Sequence, residues 1–246
     1  MKNLQHILSN VYKAIDDYNM IDDNDVIAVG LSGGKDSITT LYALNNLKLY
    51  YPKKFSIIAL TVDMRFENIG KNKFNGEELR KLCENLNIPY YTIDTDIAEI
   101  VFKVRNEKNP CSLCANLRRG YLCSKAKELG ANKLALGHNF DDVVETFMLN
   151  LFFEGRMGCF SPKTILEEKD LTVIRPLIYC KESSIKHFVN TNNLPVIKSD
   201  CPENKFTERE NMKALLINLE KQNKGLRHRI FKAIQKSDID GFGIEK

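Results

Sequence analysis

No stretch of the chain reaches the roughly 18 uninterrupted apolar residues that a membrane-spanning helix needs, and the opening Met1-Lys2-Asn3-Leu4-Gln5-His6 lacks the apolar centre of a signal peptide. These absences predict a cytoplasmic protein with no membrane partner. Internal repeats, low-complexity tracts and long flexible linkers are also missing, which excludes solenoids and beads on a string. A second C-x-x-C is absent as well, so the four-thiolate zinc site that two such pairs would build is not encoded. The P-loop spacing G-x-x-x-x-G-K-[ST], with its preference for γ-phosphate chemistry, does not occur either.

What remains is a chain of 246 residues, 43% hydrophobic, long enough for one large α/β domain. Its seven cysteines, in a reducing compartment, point to metal binding or redox work before structural disulfides. The net charge of +4 is modest but unevenly spread. Lys221, Lys224, Arg227, Arg229, Lys232 and Lys236 form one block without an acid, and Lys103 to Lys127 holds a second with Glu107 alone against it. Such blocks suit either an RNA backbone or two solvated helix faces.

Helical spacing of Leu4, Leu8, Val11, Ile15 and Tyr18 predicts an opening amphipathic helix. Strand-like runs then alternate with helical ones: Val26 to Leu31, Ile38 to Leu47, Phe55 to Val62, Gly76 to Leu86 and Tyr90 to Ile93. Ile97 to Val104 and Leu113 to Leu129 read as helices, Lys133 to Leu136 as a strand, Asp141 to Phe153 as a helix and Thr172 to Ile174 as a strand. This order predicts a Rossmann-like α/β fold, a parallel sheet with helices on both faces. We partition the chain into a domain over 1–202 and a basic helical C-terminal extension over 203–246, packed on it.

Ser32-Gly33-Gly34-Lys35-Asp36-Ser37 directly follows the first strand. Its two glycines let successive N–H groups converge on an anion, and the next helix aims its positive end at the same point. In an open α/β sheet ligands sit beyond the carboxyl ends of the strands. Thr61-Val62-Asp63 and Gly137-His138 therefore share a rim with that loop, Asp63 being either a nucleotide contact or a strand-closing polar residue. His138, Asp141, Asp142 and Glu145 follow one helical spacing and are expected to share a face, where carboxylates hold Mg2+ or move protons. A helix dipole alone would also explain Asp141 and Asp142.

Pro110-Cys111-Ser112-Leu113-Cys114 opens the long basic helix, with Arg118 on the Cys114 face and Cys123 turned away. Zinc, an iron–sulfur cluster and a redox disulfide all remain open for this pair. A third ligand would come from Cys83, Cys123, Cys159, Cys180 or Cys201; Cys201 stands out in a polar, turn-rich stretch, and Cys83 reads as core.

The loop resembles the PP-loop of the ATP pyrophosphatases, of the adenine nucleotide alpha hydrolase-like fold, which cleave between the α- and β-phosphates. Together with Pro110-Cys111-Ser112-Leu113-Cys114-Ala115-Asn116-Leu117-Arg118-Arg119-Gly120, Ala135-Leu136-Gly137-His138 and Ile174-Arg175-Pro176-Leu177, it is similar to the TtcA family, the tRNA 2-thiocytidine biosynthesis enzymes. The resemblance implies an ATP-dependent tRNA sulfurtransferase that adenylates the C2 carbonyl of a cytidine at anticodon-loop position 32 and replaces that oxygen with sulfur. It implies an ATP site of Ser32, Gly33, Gly34, Lys35, Asp36, Ser37, Thr61, Val62, Asp63 and Gly137, with Asp36 on Mg2+. It implies a [4Fe–4S] cluster on Cys111, Cys114 and Cys201, and catalytic roles for Arg118, Asp142 and Asp36. The partners implied are tRNA and a sulfur donor, a cysteine desulfurase or free sulfide; a homodimer is compatible with it. Two other enzyme readings keep the adenylation, a tRNA 2-thiouridine synthetase or a lysidine- or amide-forming ligase, and a further one is a metal-bearing nucleotide sensor.

Overall fold

Asp25-Val26-Ile27-Ala28-Val29-Gly30 is apolar at nearly every position, the pattern of a strand covered on both faces, and it forms the central strand β1 (Asp25–Gly30). The computed structural model describes residues 3–105, 110–197, 201–202 and 208–244. Around β1 lie β2 (Phe55–Asp63), β3 (Tyr90–Asp94), β4 (Lys133–Ala135), β5 (Lys163–Leu166) and β6 (Leu171–Ile174) in the order β3-β2-β1-β4-β6-β5. The pairs β1–β2, β1–β4, β2–β3 and β4–β6 are parallel.

One edge differs from the expected parallel sheet. Lys163–Leu166 was not legible as a strand, and it runs antiparallel to β6, with Lys163 opposite Ile174 and Leu166 opposite Leu171. Its four residues alternate too weakly to show a period, and its exposed Ile165 carries no burial signal.

The helices are α1 (Leu4–Asp17), α2 (Lys35–Leu47), α3 (Glu77–Asn85), α4 (Ile97–Glu99), α5 (Pro110–Glu128), α6 (Phe140–Phe153), α7 (Glu182–Thr191), α8 (Glu208–Gln222) and α9 (Leu226–Lys236). α4 runs into a π-helical turn at Ile100–Val104. Successive β1 side chains point to opposite faces. Ile27 and Val29 join the larger core with α1, α2, α6 and α7, while Ala28 joins Leu60, Leu134, Val173 and the inner face of α5, including Cys123 and Ala126. Each fully buried Ile or Leu contributes roughly 1.5–3 kcal/mol. Cys83 and Cys180 are buried in the larger core, and Cys123 faces the sheet, as its position half a turn away from Cys114 predicts.

Strand order reverses between β1 and β4, because β1 connects outward to β2 and β4 outward to β6. The crevice at such a reversal is where an open α/β sheet takes its ligand. Both Ser32–Ser37 and Gly137-His138 emerge there. Among the described residues no helix is long and apolar enough to cross a membrane.

Candidate active site

Chain direction alone brings the first half of the site together. Leu31 N–H donates to the Leu60 carbonyl at 2.7 Å, and Thr61 Oγ1 donates to the Leu31 carbonyl at 2.6 Å, so the ends of β1 and β2 are tied just before the loop. Gly33 then turns with φ of 79°, a left-handed conformation that favours glycine. Gly34 precedes the first turn of α2, whose N–H groups are left free to meet an anion. Ser37 Oγ donates to the Gly34 carbonyl at 2.9 Å and lies 3.2 Å from Ser32 Oγ, so the two hydroxyls close the loop on itself.

Gly137 is the contact between the β1 and β4 halves. A Cβ there would lie 2.9 Å from the carbonyl carbon of Asp36 and 3.0 Å from the Ser37 nitrogen. Backbone meets backbone with no room for a methyl group. Next to it, Asn139 Nδ2 donates to Asp36 Oδ1 at 3.0 Å. Asn139 also caps α6, its side chain accepting from the N–H groups of Asp141 and Asp142 while Asp142 Oδ2 accepts from Asn139 N–H at 2.9 Å. Asp142 thus performs the dipole-complementing role, and its other oxygen faces Arg209 at 3.4 Å. Burial raises its pKa from the ordinary aspartate value, opposed by the Asn139 N–H and Arg209 and reinforced by Asp36.

Lys35 lies 2.7 Å from Asp36 and 3.1 Å from Glu182. Burial pulls the ammonium pKa down, but the two carboxylates outweigh it and hold it above the ordinary lysine value. Glu182 also receives Lys186 at 3.1 Å and Lys213 at 2.9 Å. Burial opposes its charged form, yet the three lysines hold its pKa down to about 2.

The expected common face of His138, Asp141, Asp142 and Glu145 is not formed as such. His138 precedes the cap and is not helical, so helical spacing does not apply to it. Asp141 instead pairs with Arg227 of α9 and accepts the Glu182 N–H at 2.7 Å. His138 stacks on Phe160 with ring centroids 4.7 Å apart, and Arg175 lies over the same ring at 5.1 Å. Burial, then Arg175, Arg209, Arg119 and Arg118, push its pKa down to about 3. Burial and the nearby positive charge therefore favour the neutral imidazole.

Glu145 is almost fully buried, and burial followed by the neighbouring Asp142 raises its pKa to about 7. A group whose folded pKa lies above its unfolded value stabilises the fold fully below the unfolded value, near 4.5, and loses that contribution as pH rises through about 7. Glu145→Gln is expected to flatten this dependence, gaining on the order of 3 kcal/mol at pH 8 relative to wild type. Urea unfolding at pH 5, 6.5 and 8 measures it.

Asp63 accepts the Arg65 N–H at 2.8 Å and its carbonyl takes the Thr95 hydroxyl at 2.8 Å, a strand-closing role. Burial raises its pKa. Met64, one residue on, places its sulfur 3.5 Å from Cys114 Sγ. The buried thiol of Cys114 therefore stands at the carboxyl end of β2, on the rim that carries the loop. Burial raises its pKa most; Arg118 lowers it by charge and by a hydrogen bond, and both Cys201 and Cys111 raise it. All three predicted thiols and Arg118 hence lie in one electrostatic neighbourhood. Among the described residues, no three His, Cys, Asp or Glu side chains close on a single ion-sized point. A cluster does not require that closure, since each thiolate caps a different iron. Asp200 and Glu203, which flank Cys201, lie outside the described residues, as does Lys108 of the basic block.

A contact invisible in the sequence ties Ile197, four positions before Cys201, to the loop. Ile197 N–H donates to the Gly33 carbonyl at 2.9 Å, and a Cβ on Gly33 would meet the Ile197 side chain at 3.0 Å. Four residues of chain reach at most about 14 Å, which bounds the distance from Ile197 to Cys201.

A family model described as a PP-loop domain matches residues 2–220. A tRNA-cytidine(32) 2-sulfurtransferase from Vibrio campbellii is 41% identical over 228 residues, 92% of this chain and 75% of the relative. The chain belongs to the PP-loop family, among its tRNA-cytidine(32) 2-sulfurtransferases. The relative of that name from Ralstonia pickettii is also 41% identical, over 92% of this chain and 71% of its own length. Among solved structures, the U34-tRNA thiolase NcsA from Methanococcus maripaludis with its [4Fe-4S] cluster superposes with a TM-score of 0.80 at 28% identity, covering 96% of this chain and 78% of that one. For this PP-loop chain, sequence reasoning missed Asn139, Arg175, Glu182, Ile197 and Arg209 as site neighbours. Only Asn139, three residues before Asp142, carried a recognisable capping signal.

Proposed function

We propose that the protein is an ATP- and Mg2+-dependent tRNA sulfurtransferase that converts a cytidine of the anticodon loop, at position 32, to 2-thiocytidine. The observation that carries this reading is the position of Cys114. Its thiol stands on the nucleotide rim with Cys111, Cys201 and Arg118 about it, and Ile197, four positions before Cys201, is hydrogen-bonded to the phosphate loop.

The N–H groups of Ser32 to Ser37 and the start of α2 hold the ATP phosphates, and Lys35 neutralises them. Asp36, joined to Asn139 of the α6 cap, and Asp142 of the same cap are the carboxylates that would hold Mg2+. The C2 carbonyl oxygen of the target base attacks the α-phosphorus, pyrophosphate leaves, and AMP stays on the oxygen. A sulfur nucleophile then adds at C2 and AMP departs with the oxygen. Arg118 stabilises negative charge as that exchange proceeds. Cys111, Cys114 and Cys201 suit a [4Fe–4S] cluster, which with three protein thiolates supplies one iron open to an exogenous sulfur. Thr61, Val62, Asp63 and Gly137 line the nucleotide side of the rim.

Cytidine is favoured over uridine because relatives at 41% identity bear the cytidine name, whereas the uridine-acting NcsA stands at 28%. Anaerobic purification, iron and sulfide assay, and nucleoside analysis of tRNA treated with protein, ATP and sulfide test the proposal. About four irons per chain and ATP-dependent 2-thiocytidine are expected. Stoichiometric zinc in a colourless protein overturns the cluster assignment, and thiouridine in the digest corrects the substrate.

A further inference from the structure

We propose that a cleft between the start of α6, the start of α7 and the α8–α9 hairpin binds phosphates of the RNA backbone, as an anchoring site separate from the ATP loop. The inference rests on the reading of the protein as a tRNA-modifying enzyme. The cleft has a volume of about 490 Å3. Its floor is apolar: Phe140 stacks against His228 with ring centroids 4.9 Å apart, beside Ile217.

Acids line the cleft too, but each is already committed. Asp141 is held by Arg227 and the Glu182 N–H, and Glu182 by Lys35, Lys186 and Lys213. Glu220 accepts the N–H groups of Gly225 at 2.6 Å and Arg227 at 3.0 Å. On the same walls the ammonium groups of Lys181, Lys221 and Lys224 make no ion pair with any described residue. The Nε of Arg227 is buried there without a hydrogen-bond partner among the described residues. Partial burial, then Lys181, lower the pKa of His228 against the opposing pull of Glu220 and Asp141, and its ring faces Phe140 as a stacking surface.

An apolar floor ringed by uncommitted cations is the chemistry of a sugar–phosphate backbone with a base or ribose laid on the ring. The lysines come from two separate places, Lys181 at the start of α7 and Lys221 and Lys224 at and just beyond the end of α8, which fits a strand crossing the cleft better than one convergent free phosphate. Position argues the same way. Phe140 and Asp141 directly follow Asn139, which is bonded to Asp36 of the loop, so a polynucleotide that delivers a base to the loop passes this mouth. Arg229, Lys232 and Lys236 extend the basic surface outward along α9.

The test uses the full-length, anaerobically purified protein and the triple variant Lys181→Ala/Lys221→Ala/Lys224→Ala, with fluorescently labelled unmodified tRNA titrated between 50 and 200 mM KCl. None of the three lysines touches the ATP loop, so ATP affinity is expected to be unchanged, which also reports an intact fold. The Kd for tRNA is expected to rise about tenfold or more, and the slope of log Kd against log salt to become shallower by about two. Wild-type affinity and slope in the variant overturn the proposal. Displacement of tRNA by micromolar AMP in the wild type, lost in the variant, overturns it in favour of a free-nucleotide site. Failure of the wild type to bind tRNA at any salt overturns the functional reading instead.

Discussion

Cys114→Ser is expected to abolish sulfur transfer, by on the order of 10^3-fold or more, while leaving ATP binding intact. The substitution nearly preserves shape, so the packing of residue 114 beside Ile97, Val101 and Met64 is largely kept. What it removes is the soft donor atom. Iron and acid-labile sulfide are expected to fall together with thiolation, and pyrophosphate release in the presence of tRNA is expected to continue, since adenylation needs no thiol. Cys123→Ser supplies the control. It lies on the same helix and is as deeply buried, but packs against Ala28 and Leu134 on the sheet side. That variant should lose some stability and no iron. Equal loss of iron from both would show that helix integrity, and not the Cys114 sulfur, was being measured.

The second large effect is expected from Gly137→Ala. The added methyl group would stand 2.9 Å and 3.0 Å from backbone atoms of Asp36 and Ser37, neither of which can rotate away as a side-chain tip would. Relief requires moving the start of α2, and with it the N–H groups aimed at the phosphates. Overpacking of this kind costs about 1–3 kcal/mol, and ATP affinity is expected to fall on the order of 100-fold as the cradle opens, equivalent to about 2.7 kcal/mol. Calorimetric ATP titration and urea unfolding of the same sample measure both. Gly120→Ala is the matched control, because a Cβ at that helical position meets nothing within 4 Å. It should stabilise α5 by up to about 1 kcal/mol.

Much of this arrangement is legible from sequence because it depends on local pattern. A strand apolar throughout, followed by Ser32-Gly33-Gly34-Lys35, states both a central strand and a phosphate loop, and the i, i+3 cysteines state a shared helix face. The rim follows from topology alone, since parallel strands put Asp63, Gly137 and the loop at one end. What escaped was long-range. Glu182 reaches Lys35 across 147 positions, and nothing near it in sequence distinguishes it from a solvated acid at a helix start. Ile197 uses only its backbone N–H on Gly33, which no side-chain pattern encodes. Asp141 shows the opposite failure: its spacing suggested the site face, but the capped first turn of α6 directs it to Arg227. Helical periodicity was extended one residue too far back, through a cap where it does not hold.

The pairing of Asp141 with Arg227 has a consequence for how the protein is made. Asp141 is buried and adjoins the carboxylate that caps α6, yet its counter-ion is supplied 86 residues later. A nascent chain halted before Arg227 leaves the ribosome would carry that carboxylate without its guanidinium partner, held by the Glu182 N–H alone. The pairing at the start of α6 is therefore completed only when α9 arrives, after every strand of the sheet has been made.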